Sequence, residues 1–181
     1  GVEATVLTSM HNIAYYSGFL YCAFGRPYAC VVTADRCVTI SANIDGGQPW
    51  RRSFGENIIY TDWKRNNYWR AVQSVIPNSK NIGIEADHLT VVSRDVMLSM
   101  LGNIQLKDLN ADIMTLRMIK SAEEIELIKG GARTADIGGE AVKAAIKLGT
   151  REIDVAMAGR DAMELEISMR YPNSEIRDSW V

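Results

Sequence analysis

The F-G-R-P-Y segment at residues 24–28 holds the side chain with the clearest binding chemistry in this sequence. Arg26 stands between Gly25 and Pro27, directly ahead of the apolar run "YACVVT", which is typical of a buried strand. Burying an unpaired guanidinium costs several kcal/mol. Arg26 is therefore expected to be either solvated or bound to an anion.

Catalytic motifs are scarce in the rest of the chain. The two histidines, His11 and His88, form no H-x-x-x-H pair, and the sequence has no G-x-S-x-G, Walker or G-x-G-x-x-G motif. The cysteines have no C-x-x-C spacing, and we expect Cys22, Cys30 and Cys37 to be reduced packing residues. Because no set of ligands converges, the sequence predicts neither a metal nor a cofactor.

Other polar residues have structural explanations. His11 begins a short helical segment and is expected to be packed or hydrogen-bonded, whereas His88 in "EADHL" is expected to be solvated. Arg51 and Arg52 in "WRRSFG" could clamp an anion, although a loop pinned by Trp50 or a subunit contact explains them better. On its residues alone, the chain has the features of a binding domain.

Composition narrows the class of protein. The 181 residues are 47% hydrophobic and 23% charged, which is enough for a real core in one or two domains. A formal net charge of -2 gives no general attraction to nucleic acid or to an anionic membrane. Without a candidate spanning segment or leader, a soluble cytoplasmic protein is expected. The chain opens at Gly1, without an initiator methionine, and we expect it to be a piece of a longer protein.

Apolar β-rich runs alternate with helical periodicity up to about residue 118. This alternation predicts an α/β domain with a mixed sheet flanked by helices. The predicted strands are "ATVLT", "YACVVT", "CVTISA", "NIIYT", "NIGIE" and "IQLKDL". The predicted helices are "HNIAYYSG", "RNNYWRAVQSVI", "VVSRDVMLSML" and a turn of helix near 111–117.

Two long helices are predicted after this domain. Ser121 and Glu124 form an S-x-x-E capping box, which predicts a helix from 121 to 147 that Gly149 terminates. Thr150 is expected to cap a second helix, from 151 to 170, which ends before Pro172. We place a domain boundary between the regions 1–118 and 119–181.

Four longer segments are "SMHNIAYYSGFLYCAFGRPYACVV", "ISANIDGGQPWRRSFGENIIYTDWKRNNYWRAV", "IGIEADHL" and "RMIKSAEEIELIKGGARTADIGGEAV". They resemble the pita-bread fold family, which contains creatinase, prolidase and the proline-specific aminopeptidases. The "FGRPYA" and "IDGGQPWRR" stretches are similar to the creatinase branch, which the ectoine hydrolases adjoin. The resemblance covers nearly the whole chain.

The resemblance implies an N-terminal domain over residues 1–118, followed by the first helices of a truncated pita-bread catalytic domain. It also implies a homodimer in which this domain covers the partner's active site. Phe24 and Arg26 would then contact the substrate bound by the partner. In that arrangement Arg26 binds the substrate carboxylate through its planar fork, and Gly25 and Pro27 stiffen the turn.

The implied reaction is metal-independent hydrolysis of creatine, a small zwitterion, to sarcosine and urea. The family's proton-transferring histidine and its guanidinium-binding glutamates are expected beyond Val181, so this chain alone is expected to be inactive. Two enzymatic alternatives stay open, an ectoine hydrolase and a metal-dependent Xaa-Pro aminopeptidase or prolidase. A binding or dimerisation module is the non-enzymatic alternative.

Overall fold

The computed structural model describes residues 1–20, 25–46 and 53–173. Within these ranges, short strands and helices alternate along the first two thirds of the chain, and long helices follow. In chain order the elements are β1 (Ala4–Leu7), α1 (Met10–Ser17), β2 (Ala29–Thr33), β3 (Cys37–Ala42), a 3-10 turn (Asn43–Asp45), β4 (Glu56–Tyr60), α2 (Asn67–Val75), β5 (Asn81–Ile84), α3 (Val91–Leu101), β6 (Gln105–Asp108), α4 (Asn110–Met118), α5 (Ala122–Ala145) and α6 (Glu152–Arg170).

The strands form one mixed sheet in the order β4-β3-β2-β1-β5-β6. The neighbours β1 and β2 are antiparallel, as are β2 and β3, whereas β1–β5, β3–β4 and β5–β6 are parallel pairs. The prediction of an α/β domain with a mixed sheet is confirmed.

The core lies between this sheet and its helices. Val38 and Ile40 of β3 are fully buried, and they alternate with residues of the other face as a strand requires. Tyr68, Val72 and Val75 are also buried, as their helical spacing predicts. Helix α2 packs against β2, β3 and β4, and α1 packs against β2 and β3.

Helix α1 begins and ends where local signals place it. The Ser9 hydroxyl accepts a hydrogen bond from the Asn12 backbone N–H at the first turn. At the other end, Gly18 adopts a left-handed conformation with φ 76°, and its N–H bonds to the Ala14 carbonyl. Gly18, the last residue of the predicted helical segment "HNIAYYSG", is therefore the C-cap.

By internal contacts, the chain divides into two compact units, Gly1–Arg117 and Met118–Val181. In the second unit, the predicted capping box forms at the start of α5. The Ser121 hydroxyl accepts from the Glu124 backbone N–H at 3.2 Å, and the Glu124 carboxylate accepts from the Ser121 backbone N–H at 2.7 Å.

The predicted junction between the two long helices is wrong in detail. Helix α5 ends at Ala145, ahead of Gly149, which takes φ 85° in the connection that follows. Arg151, not Thr150, is the N-cap of α6, because the extended backbone conformation before the helix (φ -75°, ψ 147°) falls at Arg151. Arg151 makes no side-chain cap hydrogen bond, and its guanidinium pairs with the Asp154 carboxylate.

Helices α5 and α6 approach each other closely. A Cβ atom added to Gly138 would lie 2.6 Å from the Met163 Cγ, so a larger residue at 138 would separate them. Many large apolar side chains on and between these two helices are nevertheless exposed. They are Ile125, Leu127, Ile128, Ile146, Leu148, Ile153, Met157, Leu165 and Met169.

Candidate functional site

The turn that carries Arg26 lies immediately before β2 and is held by tyrosine side chains. The Tyr60 hydroxyl donates to the Pro27 carbonyl at 2.9 Å, and the Tyr68 hydroxyl donates to the Tyr28 carbonyl at 3.2 Å. The rings of Tyr60 and Tyr68 meet edge to face, with centroids 5.7 Å apart. Two consecutive carbonyls of the turn are therefore fixed from β4 and α2.

Further contacts at the turn limit its freedom. Tyr28 is buried, and its hydroxyl donates to the Asp45 carboxylate. Gly25 takes φ 81°, a conformation that few residues other than glycine adopt. Burial, with a smaller effect of the nearby Asp62 charge, raises the pKa of Tyr60, so its hydroxyl stays protonated and can donate.

Arg26 is half-exposed and has an anionic partner within its own chain. Its Nη2 lies 2.7 Å from the Asp62 Oδ2, and the two side chains are 51% and 60% exposed. The prediction of a solvated or anion-bound arginine is confirmed in this form. The partner, Asp62, was not among the residues singled out from the sequence.

Sheet register explains how Arg26 and Asp62 meet. Ala29 pairs with Ile40 across the antiparallel β2–β3 ladder, and Ala42 pairs with Tyr60 across the parallel β3–β4 ladder. The residues preceding β2 and those following β4 therefore lie at the same edge of the sheet. Only the strand order, which the sequence pattern does not give, could have revealed this pair.

Arg26 borders two clefts. One has a volume of about 530 Å³, and its lining includes Thr8, Tyr28, Trp69 and His88. The other has a volume of about 410 Å³, and its lining includes Asn43, Ile44, Asp62 and Trp63. Ile44 is 83% exposed and Trp63 is 92% exposed, so the second cleft has an apolar, accessible rim.

Other candidates from the sequence have varied placements. His11 is exposed on the first turn of α1 and is not packed as expected. His88 is exposed, and its Nδ1 lies 3.0 Å from the Thr8 Oγ1. Phe24, Arg51 and Arg52 lie outside the described residues.

A buried carboxylate that sequence analysis missed lies beside α1. Glu85 is 2% exposed, and its carboxylate accepts from the Ser9 backbone N–H at 2.9 Å. It also accepts from the Thr8 backbone N–H, the Ser9 hydroxyl and the Asn12 amide. The Asn12 Oδ1 in turn accepts from the Arg117 Nη1 at 3.1 Å.

The charge state of Glu85 follows from these contacts. Burial alone would raise the pKa of its carboxyl, but the hydrogen bonds from Ser9, Thr8 and Asn12 outweigh burial and lower it. Glu85 is thus an ionised acceptor that ties the end of β5 to the N-terminus of α1. Its contacts indicate a structural role.

The described cysteines are free thiols. The Cys30 and Cys37 sulfurs lie 3.4 Å apart, and burial, with Cys37 as the next cause, raises the pKa of the Cys30 thiol. Cys22 lies outside the described residues.

In the part of the chain that the structure describes, no group of three or more His, Cys, Asp or Glu side chains could hold a metal ion. The helices of that part include none with the length and apolarity of a membrane span.

Fold and sequence together define the class of protein. Residues 1–119 match the Creatinase/Prolidase N-terminal domain family, and the chain belongs to that family. Over its full length it is 52% identical to the creatinase of Bacillus sp. (strain B-0618), of which it covers 45%. The resemblance to the creatinase branch is confirmed, and the chain spans about half the length of this relative.

Solved structures show the same fold at low identity. The prolidase from Pyrococcus furiosus aligns with a TM-score of 0.71 at 21% identity, over 91% of this chain and 49% of that one. The X-Pro aminopeptidase from Thermotoga maritima MSB8 aligns with a TM-score of 0.73 at 18% identity, over 92% of this chain and 47% of that one.

Proposed function

We propose that this chain is the N-terminal part of a creatinase-like amidinohydrolase that hydrolyses creatine to sarcosine and urea. The observation that carries the proposal is the half-exposed Arg26 on a turn fixed by tyrosine hydroxyls, in a chain 52% identical to a creatinase. In this proposal residues 119–181 begin the catalytic domain.

The substrate's chemistry fits an arginine at this position. Creatine carries a carboxylate at one end and a guanidinium group at the other. A planar guanidinium side chain can bind the carboxylate through two parallel hydrogen bonds, which fixes the direction of the substrate. Arg26 therefore has a binding role, and we propose that Phe24 packs beside the same substrate.

The reaction itself takes place at the other end of creatine. Water adds to the guanidinium carbon, the bond from that carbon to the sarcosine nitrogen breaks, and this nitrogen receives a proton. A proton carrier and carboxylates that hold the guanidinium are needed there. We assign these groups to the part of the protein beyond residue 181.

We further propose a homodimer in which Arg26 serves the partner's active site. The exposed rim formed by Ile44 and Trp63 beside Arg26 supports this arrangement, because large exposed apolar side chains around a charged group are typical of interfaces. Each active site would then need residues from both subunits.

Subunit mixing tests this proposal. In the longer protein, Arg26→Ala subunits are mixed with subunits that lack the downstream catalytic histidine, and creatine hydrolysis is measured. One site of each mixed dimer carries both lesions and the other carries neither, so about half of a normal dimer's activity is expected to return. If mixed dimers form without activity, Arg26 does not act across the dimer.

The structural likeness to prolidases and X-Pro aminopeptidases makes a metal-dependent peptidase the second candidate. A substrate panel of creatine, an ectoine-type cyclic amidine and an Xaa-Pro dipeptide separates the candidates. Creatine turnover that survives chelator treatment is expected. Turnover of the dipeptide that is lost on chelation and restored by a divalent metal would contradict the creatinase proposal.

A further inference from the structure

We infer that Asp62 is a positioning residue that holds the Arg26 guanidinium in the orientation needed for carboxylate binding. The inference rests on the proposed function, in which Arg26 binds a substrate carboxylate. Its structural basis is the 2.7 Å contact between the Arg26 Nη2 and the Asp62 Oδ2 at one edge of the sheet.

The two clefts beside Arg26 give this contact a directional role. Arg26 lines both clefts, whereas Asp62 lines the smaller one, together with Ile44 and Trp63, and does not line the larger one. A long, flexible arginine side chain could extend toward either cleft. Contact with Asp62 holds the Nη2 end on the side of Trp63.

The contact also leaves donors for a ligand. A guanidinium has five N–H donors in a fixed plane, so one carboxylate can anchor Nη2 while a second carboxylate binds elsewhere on the same fork. Anchoring reduces the rotational freedom that Arg26 would otherwise lose when substrate binds. Asp62 therefore contributes to substrate affinity through Arg26.

The turn beneath Arg26 is fixed independently of Asp62. Tyr60 and Tyr68 hold the carbonyls of Pro27 and Tyr28, so the backbone of the turn does not depend on the ion pair. Loss of Asp62 is expected to release the Arg26 side chain and to leave the turn in place.

An ion pair at the opposite end of β4 from Asp62 provides a matched control. Glu56, at the start of β4, lies 3.7 Å from the Arg36 Nη1, and both partners are about as exposed as Arg26 and Asp62. Exposed ion pairs generally contribute little to stability. Glu56→Gln thus removes a comparable acidic partner at the other end of β4, and it reports any general effect of losing an exposed ion pair.

A double-mutant cycle in the longer protein tests the inference. Creatine kinetics are measured for the unmutated protein, Asp62→Asn, Arg26→Ala, the double variant and Glu56→Gln. Asp62→Asn is expected to raise KM about threefold to tenfold with a smaller change in kcat. In the Arg26→Ala background, Asp62→Asn is expected to have no further effect, and Glu56→Gln is expected to resemble the unmutated protein.

Several outcomes would overturn the inference. Equal losses from Asp62→Asn in both backgrounds would show that Asp62 acts without Arg26. A lower KM for Asp62→Asn would show that Asp62 competes with the substrate carboxylate. If Arg26→Ala itself has no effect while creatine is hydrolysed, Arg26 binds no substrate and Asp62 has nothing to position.

A test on this chain separates the inference from the proposed function. If the longer protein does not hydrolyse creatine, the proposed function fails, and nuclear magnetic resonance of the Arg26 side-chain nitrogens decides whether Asp62 orients the guanidinium. We expect these resonances to shift and broaden in Asp62→Asn but not in Glu56→Gln. Unchanged resonances in Asp62→Asn would contradict the inference.

Discussion

The Ser9 backbone N–H donates to the Glu85 carboxylate at 2.9 Å, and this bond joins the N-terminus of α1 to the end of β5. An ionised carboxylate at this position satisfies the N–H groups of Thr8 and Ser9, which lie just before the first helical turn, and it is stabilised by the helix dipole. Glu85 thus stabilises the fold through charge-assisted hydrogen bonds, although it is almost fully buried.

Removing the Glu85 charge is expected to destabilise the first unit. Glu85→Gln would present an amide donor to groups that are themselves donors, so we expect a loss of roughly 2 to 4 kcal/mol in the free energy of unfolding. Urea unfolding followed by circular dichroism measures this loss. The control, Asp87→Asn in the exposed loop that follows, should leave the midpoint nearly unchanged. Equal stability of Glu85→Gln and the unmutated chain would contradict the prediction.

Acid is expected to destabilise the chain through the same carboxyl. The folded-state pKa of Glu85 lies below its ordinary value of 4.5, so its contribution is present above about pH 4.5 and is lost as the pH falls through the folded value. Unfolding free energies measured from pH 7 down to pH 3 should therefore fall more steeply for the unmutated chain than for Glu85→Gln. Parallel curves would show that Glu85 makes no such contribution.

Two glycines with left-handed backbones should respond differently to alanine. A Cβ on Gly55 would lie 2.3 Å from the Cys37 carbonyl oxygen, whereas a Cβ on Gly25 would have no atom within 4 Å. Gly25→Ala is expected to cost only the backbone strain, about 1 kcal/mol, and Gly55→Ala about 3 kcal/mol or more. Thermal unfolding compares the two variants. Similar melting temperatures would mean that the Cys37 carbonyl moves aside easily.

Arg26 substitutions should alter catalysis more than stability. In the longer protein, Arg26→Ala is expected to lower kcat/KM for creatine about tenfold to a hundredfold, because a charge-assisted hydrogen bond to the carboxylate is lost. Arg26→Lys should recover only part of this loss, because an ammonium group lacks the planar fork. Unfolding of the same variants should change by about 1 kcal/mol or less, since the Arg26–Asp62 pair is half-exposed. Full activity of Arg26→Lys would rule out a requirement for the fork.

The tyrosine support of the turn gives a further prediction. Tyr60→Phe removes the hydroxyl that donates to the Pro27 carbonyl but keeps the ring beside Tyr68. The expected result is a loss of about 1 kcal/mol in stability and a severalfold rise in KM for creatine, because the turn beneath Arg26 loosens. Steady-state kinetics and urea unfolding measure the two effects. An unchanged KM would show that Arg26 is positioned without Tyr60.

Much of the fold follows from local sequence signals. The β-branched apolar run "CVTISA" predicts a strand, which is buried on both faces, and the helical spacing of Tyr68, Val72 and Val75 predicts the buried face of α2. Gly18 and the Ser121–Glu124 box mark helix ends through backbone groups within a few residues. The prediction of Thr150 as the N-cap is wrong because the N-cap is the residue with extended backbone conformation before the helix. Several adjacent residues can adopt that conformation, and here Arg151 does.

The site could be predicted only in part. Arg26 was identified because a charge beside a buried strand needs a partner, but its contact with Asp62 depends on strand order. The segment "NIGIE" predicts a strand that includes Glu85, but it does not indicate that the Glu85 carboxylate is buried. Pairing it with Ser9 requires the parallel neighbours β1 and β5, which are far apart in the sequence.

The exposed apolar side chains of α5 and α6 have a consequence for the colloidal behaviour of this chain. Leucine side chains such as Leu127, Leu148 and Leu165 are exposed to water, and together they form apolar surface that another protein surface can bury. At rising concentration, molecules of this chain can bury that surface only against one another. The apparent molar mass from light scattering would therefore rise with concentration, and it would rise less for a chain shortened to end at Arg117, which keeps all six strands of the sheet.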